Sequence, residues 1–480
     1  MVPNSSKMTK NYLLVKLHTL LAFCVFASSL INGCCFQCHP SNYCRNLSSK
    51  IYPEGTFLVQ HMRGNSGHNV NSLRLKVLNK DESSEAPSSV NFDGSVINAA
   101  ALVAGNTIGA GIIALPTVSL QTGFVTSSLL LTVLWLYNFL TGLLIAEVAT
   151  NMGKDNPKVG SILEIAGQTL GKTSAKFASG LSLILNYLLM VAYVAEGGRY
   201  LMTGLNLDSA TFMNGAGAIL FTAAVAVLMT GGSTVVELVN NGFCLMLFVA
   251  FTTLIAVGAP EVSAENLLHL DVASTLSVVP VGVAALVYQN MVPVISNQLG
   301  HEEKKVKTAL LYGSGIPLLL YIIYDAVILG SVPAVAGAAG LSSMSEGPFS
   351  LPGFSDALAI FSISAIVTSF IGSIYSVGAE IDGVLAKLED RFDGIKNKVS
   401  SGALTLLPPA LIATSGSQDL FLEALGASGS LDNALYGLLP VAMAWVARYN
   451  LDITDSTMVP GGKGTLVFLG ALATILIFVH

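Results

Sequence analysis

The stretch AGNTIGAGIIALP, residues 104–116, gathers residue types with a chemical use. Gly105, Gly109 and Gly111 permit backbone angles outside the helix, and their missing side chains let a ligand approach the main chain. The N-terminal end of a half-helix beginning here, near Ala110 to Ile113, carries partial positive charge that suits a carboxylate. Asn106 and Thr107 add hydrogen-bond donors or an ion ligand. A second polar group, Tyr288, Gln289 and Asn290, stands ahead of Pro293. A third set is ionisable: Glu147, Glu196 with Arg199 three residues on, and Asp325 close to Tyr321 and Tyr324. The chemistry these types support is binding of a carboxylate-bearing ligand, with a group whose charge or ligation changes as the ligand comes and goes.

The elements that must position them are membrane helices. The chain has 480 residues, 52% hydrophobic and only 11% charged, with a mean hydropathy of +0.67. A soluble domain carries about a quarter charged residues. From Asp93 onward, eleven apolar runs follow one another: 95–118, 124–147, 176–202, 212–230, 235–258, 273–296, 308–333, 354–379, 401–416, 432–447 and 464–479. Most are long enough to cross a hydrocarbon layer of roughly 30 Å as a helix. Barrel strands would be shorter and alternating, so the expected class is all-α, a polytopic helical bundle.

Charge gives the orientation. With the residues before the first span placed inside, the inner loops and span ends hold thirteen of the fourteen Lys and Arg after residue 93, among them Lys172, Lys304, Arg448 and Lys463. Arg199, near the outer end of span 3, is the exception. The outer loops carry acids, Asp419, Glu423 and Asp432 among them. This asymmetry follows the positive-inside rule and supports the span count.

Residues 1–90 differ in composition. Nine Lys and Arg lie between Lys7 and Lys80, and Glu54 is the only acid before Asp81. A basic, hydroxyl-rich, acid-poor start is expected of an organelle transit peptide. The apolar run LLVKLHTLLAFCVFASSL at 13–30 also fits the core of a secretory signal. The zone reads as a targeting leader, removed or disordered, ahead of a transmembrane body at 91–480. Five of the six cysteines fall in it without regular paired spacing, leaving the body Cys244 alone. No metal site, cofactor or nucleic-acid partner is indicated, only a lipid bilayer. The patterns GxxxxGK[ST], HExxH and GxSxG are absent, and no span combines a nucleophile, a base and an orienting group, so an enzyme is not expected.

Two readings of the glycines in span 1 compete: an unwound stretch, or a Gly105-xxx-Gly109 packing face. Span 6 favours the first. In VPVGVAALVYQNMVPVISNQ, residues 279–298, Gln289 and Asn290 lie mid-span, where facing lipid would cost roughly 1–3 kcal/mol each. Spans 1 and 6 open two blocks of five, 95–258 and 273–447, with 464–480 as an extra helix. Interruptions at matching positions in two halves point to an inverted-repeat transporter with a site at the membrane midplane.

The signature AGNTIGAGIIALP resembles the first span of the aromatic amino acid permeases, the tyrosine- and tryptophan-specific family of the amino acid/polyamine/organocation superfamily. The resemblance continues in LLIAEV at 143–148, GSGIPLLLYIIYDAVILGSV at 313–332, TSFIGS at 368–373 and LLPPAL at 406–411. It implies a leucine-transporter-type fold of two inverted five-span repeats, with helices 1 and 6 discontinuous. It further implies secondary active uptake of an aromatic amino acid by alternating access, coupled to a proton or possibly sodium, and a plastid (chloroplast) inner envelope location, with plasma membrane or endomembrane as alternatives. Span 6 departs from the bacterial members, which carry a Gly- and His-containing stretch where this chain has Val287 to Met291, and Asn106 stands where they have Thr. The expected substrate site is Asn106, Thr107, Gly109, Ala110 and Gly111 of span 1, Tyr193 and Tyr187 of span 3, Tyr288, Gln289 and Asn290 of span 6, and Ser369 and Ser373 of span 8. Glu147, Glu196 and Asp325 are the coupling candidates. An uncoupled facilitator or channel for another small amino acid or metabolite would share the bundle without a coupling ion. His301 and His269 are expected to be solvated loop residues.

Overall fold

The computed structural model describes residues 94–155, 160–205, 213–271, 273–331, 353–389, 398–415, 419–451 and 456–479. The expected leader, with its cysteine cluster, lies outside them. The described residues form helices and turns, with no strand among them.

Span 1 is two helices, α1 (Gly94–Thr107) and α2 (Gly111–Ser119), bent by 57° across residues 108–110. Then come α3 (Phe124–Asp155), the short α4 (Ile162–Thr169), α5 (Lys172–Gly204), α6 (Met213–Thr230) and α7 (Ser233–Gly258). Span 6 is again two pieces, α8 (Val278–Ala285) and α9 (Val292–Gln298), separated by irregular backbone and a 3-10 turn at Gln289–Met291. The second half continues with α10 (Glu303–Ser331), α11 (Phe354–Glu389) and α12 (Lys398–Ser415). Span 10 runs through α13 (Leu420–Asp432), a π-helical turn (Asn433–Leu438) and α14 (Leu439–Tyr449), and α15 (Gly462–Ile477) follows.

Among the described residues, six spans are long and apolar enough to cross a membrane, span 6 counted as one, and the bent pair α1 and α2 makes a seventh. Shorter apolar helices and the span 10 helix occupy the rest of the expected spans. The segments are apolar on all sides because they serve two solvents. One face packs inward; the other carries residues such as Phe177, Leu238 and Val227, 70–74% exposed, which only lipid would accommodate. Backbone groups are satisfied within each helix, so the two breaks are the places where main-chain polarity must find other partners.

The bundle seats each break against intact helices. α10 lies along α1 and α3, and α5 lies between α6, α11 and α13. Small residues permit these contacts: a methyl at Gly313 would fall 2.7 Å from the Ala100 carbonyl oxygen, and one at Gly198 2.6 Å from the Gly217 carbonyl carbon.

Two expectations are corrected. Span 10 begins at Leu420, not at 432, so Asp432 is not an outer-loop acid. It is 3% exposed inside the helix. The polar run GASGS at 426–430 hid the first turns from an apolar count. His301 is not freely solvated: it is partly buried, with φ of 60°. Its ring packs over Gly153, and this burial holds the imidazole below its ordinary pKa.

Candidate functional site

The break in span 1 is built by absence of side chain. A methyl on Gly109 would sit 2.9 Å from Ser369 Oγ, and one on Gly111 2.8 Å from the Ala285 Cα. Neither glycine has positive φ. Their role is therefore close approach rather than left-handed backbone, which narrows the expectation drawn from sequence. Released from the helical ladder, the Ala110 amide donates to Ser369 Oγ at 3.1 Å. The Ile112 and Ile113 amides instead bond tightly back to Gly109 and Ala110, at 3.2 Å each. Thr107 turns inward, its hydroxyl donating to the Val103 carbonyl at 2.8 Å.

The break in span 6 is filled by large polar side chains that satisfy it from within. Gln289 Oε1 accepts from the Tyr288 amide at 2.8 Å. Gln289 Nε2 donates to Asn138 Oδ1 at 2.8 Å and approaches Thr141 Oγ1 at 3.2 Å, both on α3. The Tyr288 hydroxyl reaches the Asn138 carbonyl at 3.4 Å and packs over Gly142. Tyr288 and Gln289 are fully buried and turned toward α3.

Two side-chain bridges join the breaks. Asn106 and Asn290, 184 residues apart, exchange amide hydrogen bonds of 2.9 and 3.3 Å. Asn290 is exposed, so this pair borders an opening rather than a packed core. The second bridge is Tyr321 of α10. Its hydroxyl reaches the Thr107 carbonyl at 2.7 Å and the Ala285 carbonyl at 3.0 Å, and the Gly109 amide approaches the same oxygen. Thr107 ends α1 and Ala285 ends α8, so a single hydroxyl serves the orphan carbonyls of both half-helices.

Around the span 1 break stand Ser369, Tyr193 and Asp432. The Tyr193 hydroxyl faces Ser369 and lies close enough to Asp432 to feel its charge. Ser373, one turn beyond Ser369, is buried on the same helix. Tyr187 does not join them, since its hydroxyl donates to the Leu404 carbonyl of α12 at 2.6 Å.

The three coupling candidates sit in different surroundings. Glu147 accepts from Arg448 Nε and Nη2 at 2.6 Å each and from the Met458 amide at 2.8 Å. Fully buried, it pins the chain before α15 to α3 and α14. Glu196 accepts from Arg199 Nε at 3.0 Å, as the three-residue spacing implied. Asp325 is fully buried, with Oδ2 3.5 Å from the Ser119 hydroxyl and no partner for Oδ1 among the described residues.

Sequence reasoning reached Asn106, Asn290, Ala110 and Ser369, which the structure brings to the breaks. It did not single out the Tyr321 bridge, the Asn138 anchor or the placement of Asp432. Tyr321 and Asn138 carried a signal, a polar side chain at mid-span, but nothing along the chain named their partners.

A helical bundle whose two halves each begin with a broken span, the breaks meeting beside buried polar groups, has the leucine-transporter-type fold. The chain belongs to the tryptophan/tyrosine permease family, which matches residues 93–480. It is 29% identical over 395 residues to tyrosine-specific transport system 1 of Haemophilus influenzae, a match spanning 78% of this chain and 95% of that protein. It is 25% identical over 405 residues to the tryptophan-specific transport protein of the same organism, covering 79% and 94%. Among solved structures, the fold matches the Eremococcus coleocola manganese transporter with a TM-score of 0.52 at 13% identity, over 82% of this chain and 88% of that one. Membership in a permease family makes transport, rather than catalysis, its activity.

Proposed function

We propose that this chain moves an aromatic amino acid, tyrosine or tryptophan, together with a proton by alternating access. The observation that carries the site is the meeting of the two breaks: Ala110 and Ser369 on one side, and the Asn106–Asn290 pair on the other. The named substrates of the Haemophilus relatives support the substrate class. In this reading the substrate carboxylate takes the α2 N-terminus at Ala110 and Gly111, where the helix dipole favours an anion. The ring packs beside Tyr193, Ser369 and Ser373. Asn106 and Asn290 line the opening, Thr107 backs them from inside α1, and Tyr288 and Gln289 hold the span 6 break in shape from behind. α1 with α2, and α8 with α9, then rock against the remaining helices. The leader directs the body to the plastid inner envelope; a fluorescent fusion of residues 1–90 that leaves the organelle unlabelled would refute that address.

The test uses the full chain in sealed liposomes, with labelled tyrosine, tryptophan and phenylalanine, with and without an inward proton gradient. Accumulation above equilibrium only with the gradient is the expected result. Accumulation with a sodium gradient instead would change the ion. Equilibration without accumulation would make the protein a facilitator. No flux of any of the three, from folded protein, would remove the substrate assignment.

A further inference from the structure

Among the described residues, four acidic side chains lie buried within the membrane helices: Glu147, Glu196, Asp325 and Asp432. Two are paired to arginine. Asp325 contacts the Ser119 hydroxyl, beside the ring cluster of Tyr324, Phe361 and Phe251. Asp432 differs from all three. It lies at the junction of α13 and the π-helical turn, 3% exposed, and no described residue donates a hydrogen bond to it. Its neighbours in sequence are under-satisfied: Ser430 Oγ and Asn433 Oδ1 are buried without a partner among the described residues. π-helical turns inside helices are frequent at functional sites.

Among the described residues, no cationic side chain is paired with Asp432. From α5, Tyr193 faces it, while Glu196, one turn further on, is occupied by Arg199. α8, packed against α13, has no titratable residue in Val278–Ala285. The π-helical turn contributes Tyr436, which senses Asp432 and, on its other side, Glu380 of α11. From α15, Lys463 is drawn away over the rings of Trp445 and Tyr449. A carboxylate enclosed in this way is not compensated by any of the described residues.

We propose that Asp432 is the carboxyl that carries the coupled proton. This rests on the proton-coupled transport reading above. The occluded arrangement is accessible only when the Asp432 charge is cancelled. A hydronium on the loading side gives up its proton, an O–H bond forms on the carboxyl, and water is left behind. Substrate closes the site at Ala110 and Ser369, next to Tyr193, so loading of substrate and proton are felt by the same side chains. After the rocking step the proton passes to water on the far side, and the ionised carboxylate waits in contact with that solvent. The coupling is a difference in stability between states, as a driven conformational change requires.

The experiment compares full-length wild type, Asp432→Asn, Asp432→Glu and Asp325→Asn in proteoliposomes. Wild type must first accumulate labelled tyrosine or tryptophan against its gradient when protons flow inward. If it exchanges substrate but never accumulates it, the coupled-transport reading fails, whatever Asp432 does. Given wild-type accumulation, Asp432→Asn is expected to bring the accumulation ratio down to one while counterflow exchange persists and loses its pH dependence. Retained accumulation in Asp432→Asn, or its loss only in Asp325→Asn, would overturn the assignment. If Asp432→Asn does not fold, Asp432→Glu decides. A shifted pH midpoint of uptake supports a proton carrier, and an unmoved midpoint reduces Asp432 to a structural role.

Discussion

The break in span 1 consists of small residues and the break in span 6 of large ones, and the contrast separates two jobs that share one geometry. At residues 108–110, Ile-Gly-Ala, the chain leaves the helix with no side chain at Gly109, and the Ala110 amide turns to Ser369 on a neighbouring helix. At residues 286–291 the same loss of helical hydrogen bonds is met by Gln289, which caps the Tyr288 amide and fastens the turn to Asn138 of α3. The first break leaves a main-chain amide on a single neighbouring hydroxyl, whereas the second is satisfied by its own side chain. Tyr321 ties both to α10 through one hydroxyl, so neither can move without disturbing the other.

The most severe way to test that contrast is to fill the open break. Gly109→Leu would drive a side chain into Ser369 Oγ. Overpacking of ~1–3 kcal/mol at the proposed binding position is expected to abolish labelled tyrosine uptake while the protein stays membrane-inserted. Normal uptake by the folded variant would show that the substrate does not use this break. Gln289→Leu attacks the closed break instead. It leaves the Tyr288 amide and the Asn138 side chain without their partner, a loss of about 2–4 kcal/mol. A clear drop in unfolding temperature in detergent is expected, with uptake falling only as the folded fraction falls. A specific loss of substrate affinity at unchanged stability would instead place Gln289 in the substrate site.

Tyr321→Phe removes the shared hydroxyl and should cost about 1–2 kcal/mol, read by thermal unfolding. The wild-type stability margin over Gln289→Leu should shrink in the Tyr321→Phe background, because both act on the same break. Simple additivity would mean the breaks are independent. The smallest effect belongs to Asn106 and Asn290. Their pair borders an opening, so a double-mutant cycle with alanine at each should give only about 0.5 kcal/mol of coupling in stability. A much larger coupling would mean that the pair holds the breaks together rather than lining a path.

Much of this was legible along the chain because membrane helices are written in long, local signals. Apolar runs, basic inner loops and the placement of Asn106 and Asn290 at corresponding interruptions need no knowledge of neighbours. Span 10 shows the limit of that signal. The small and polar residues of GASGS lower the apolar count, yet they form helix because α5 and α8 press close against them; a methyl on Gly429 would collide with the Pro280 carbonyl. The same slip placed Asp432 in a loop when it lies in the bundle.

By itself the sequence determined the all-helical membrane class, the positions of the two interruptions and the small-residue character of the first, since each depends on residue type and local spacing alone. Which polar groups face each other was decided by tertiary structure. Glu147 meets Arg448 across 301 residues, Ala110 meets Ser369 across 259, and Tyr321 reaches both breaks from a third helix. In a membrane interior a buried polar atom left without a partner is costly. Which partner it finds is set by how the helices cross, and the packing of small residues against backbone fixes that crossing.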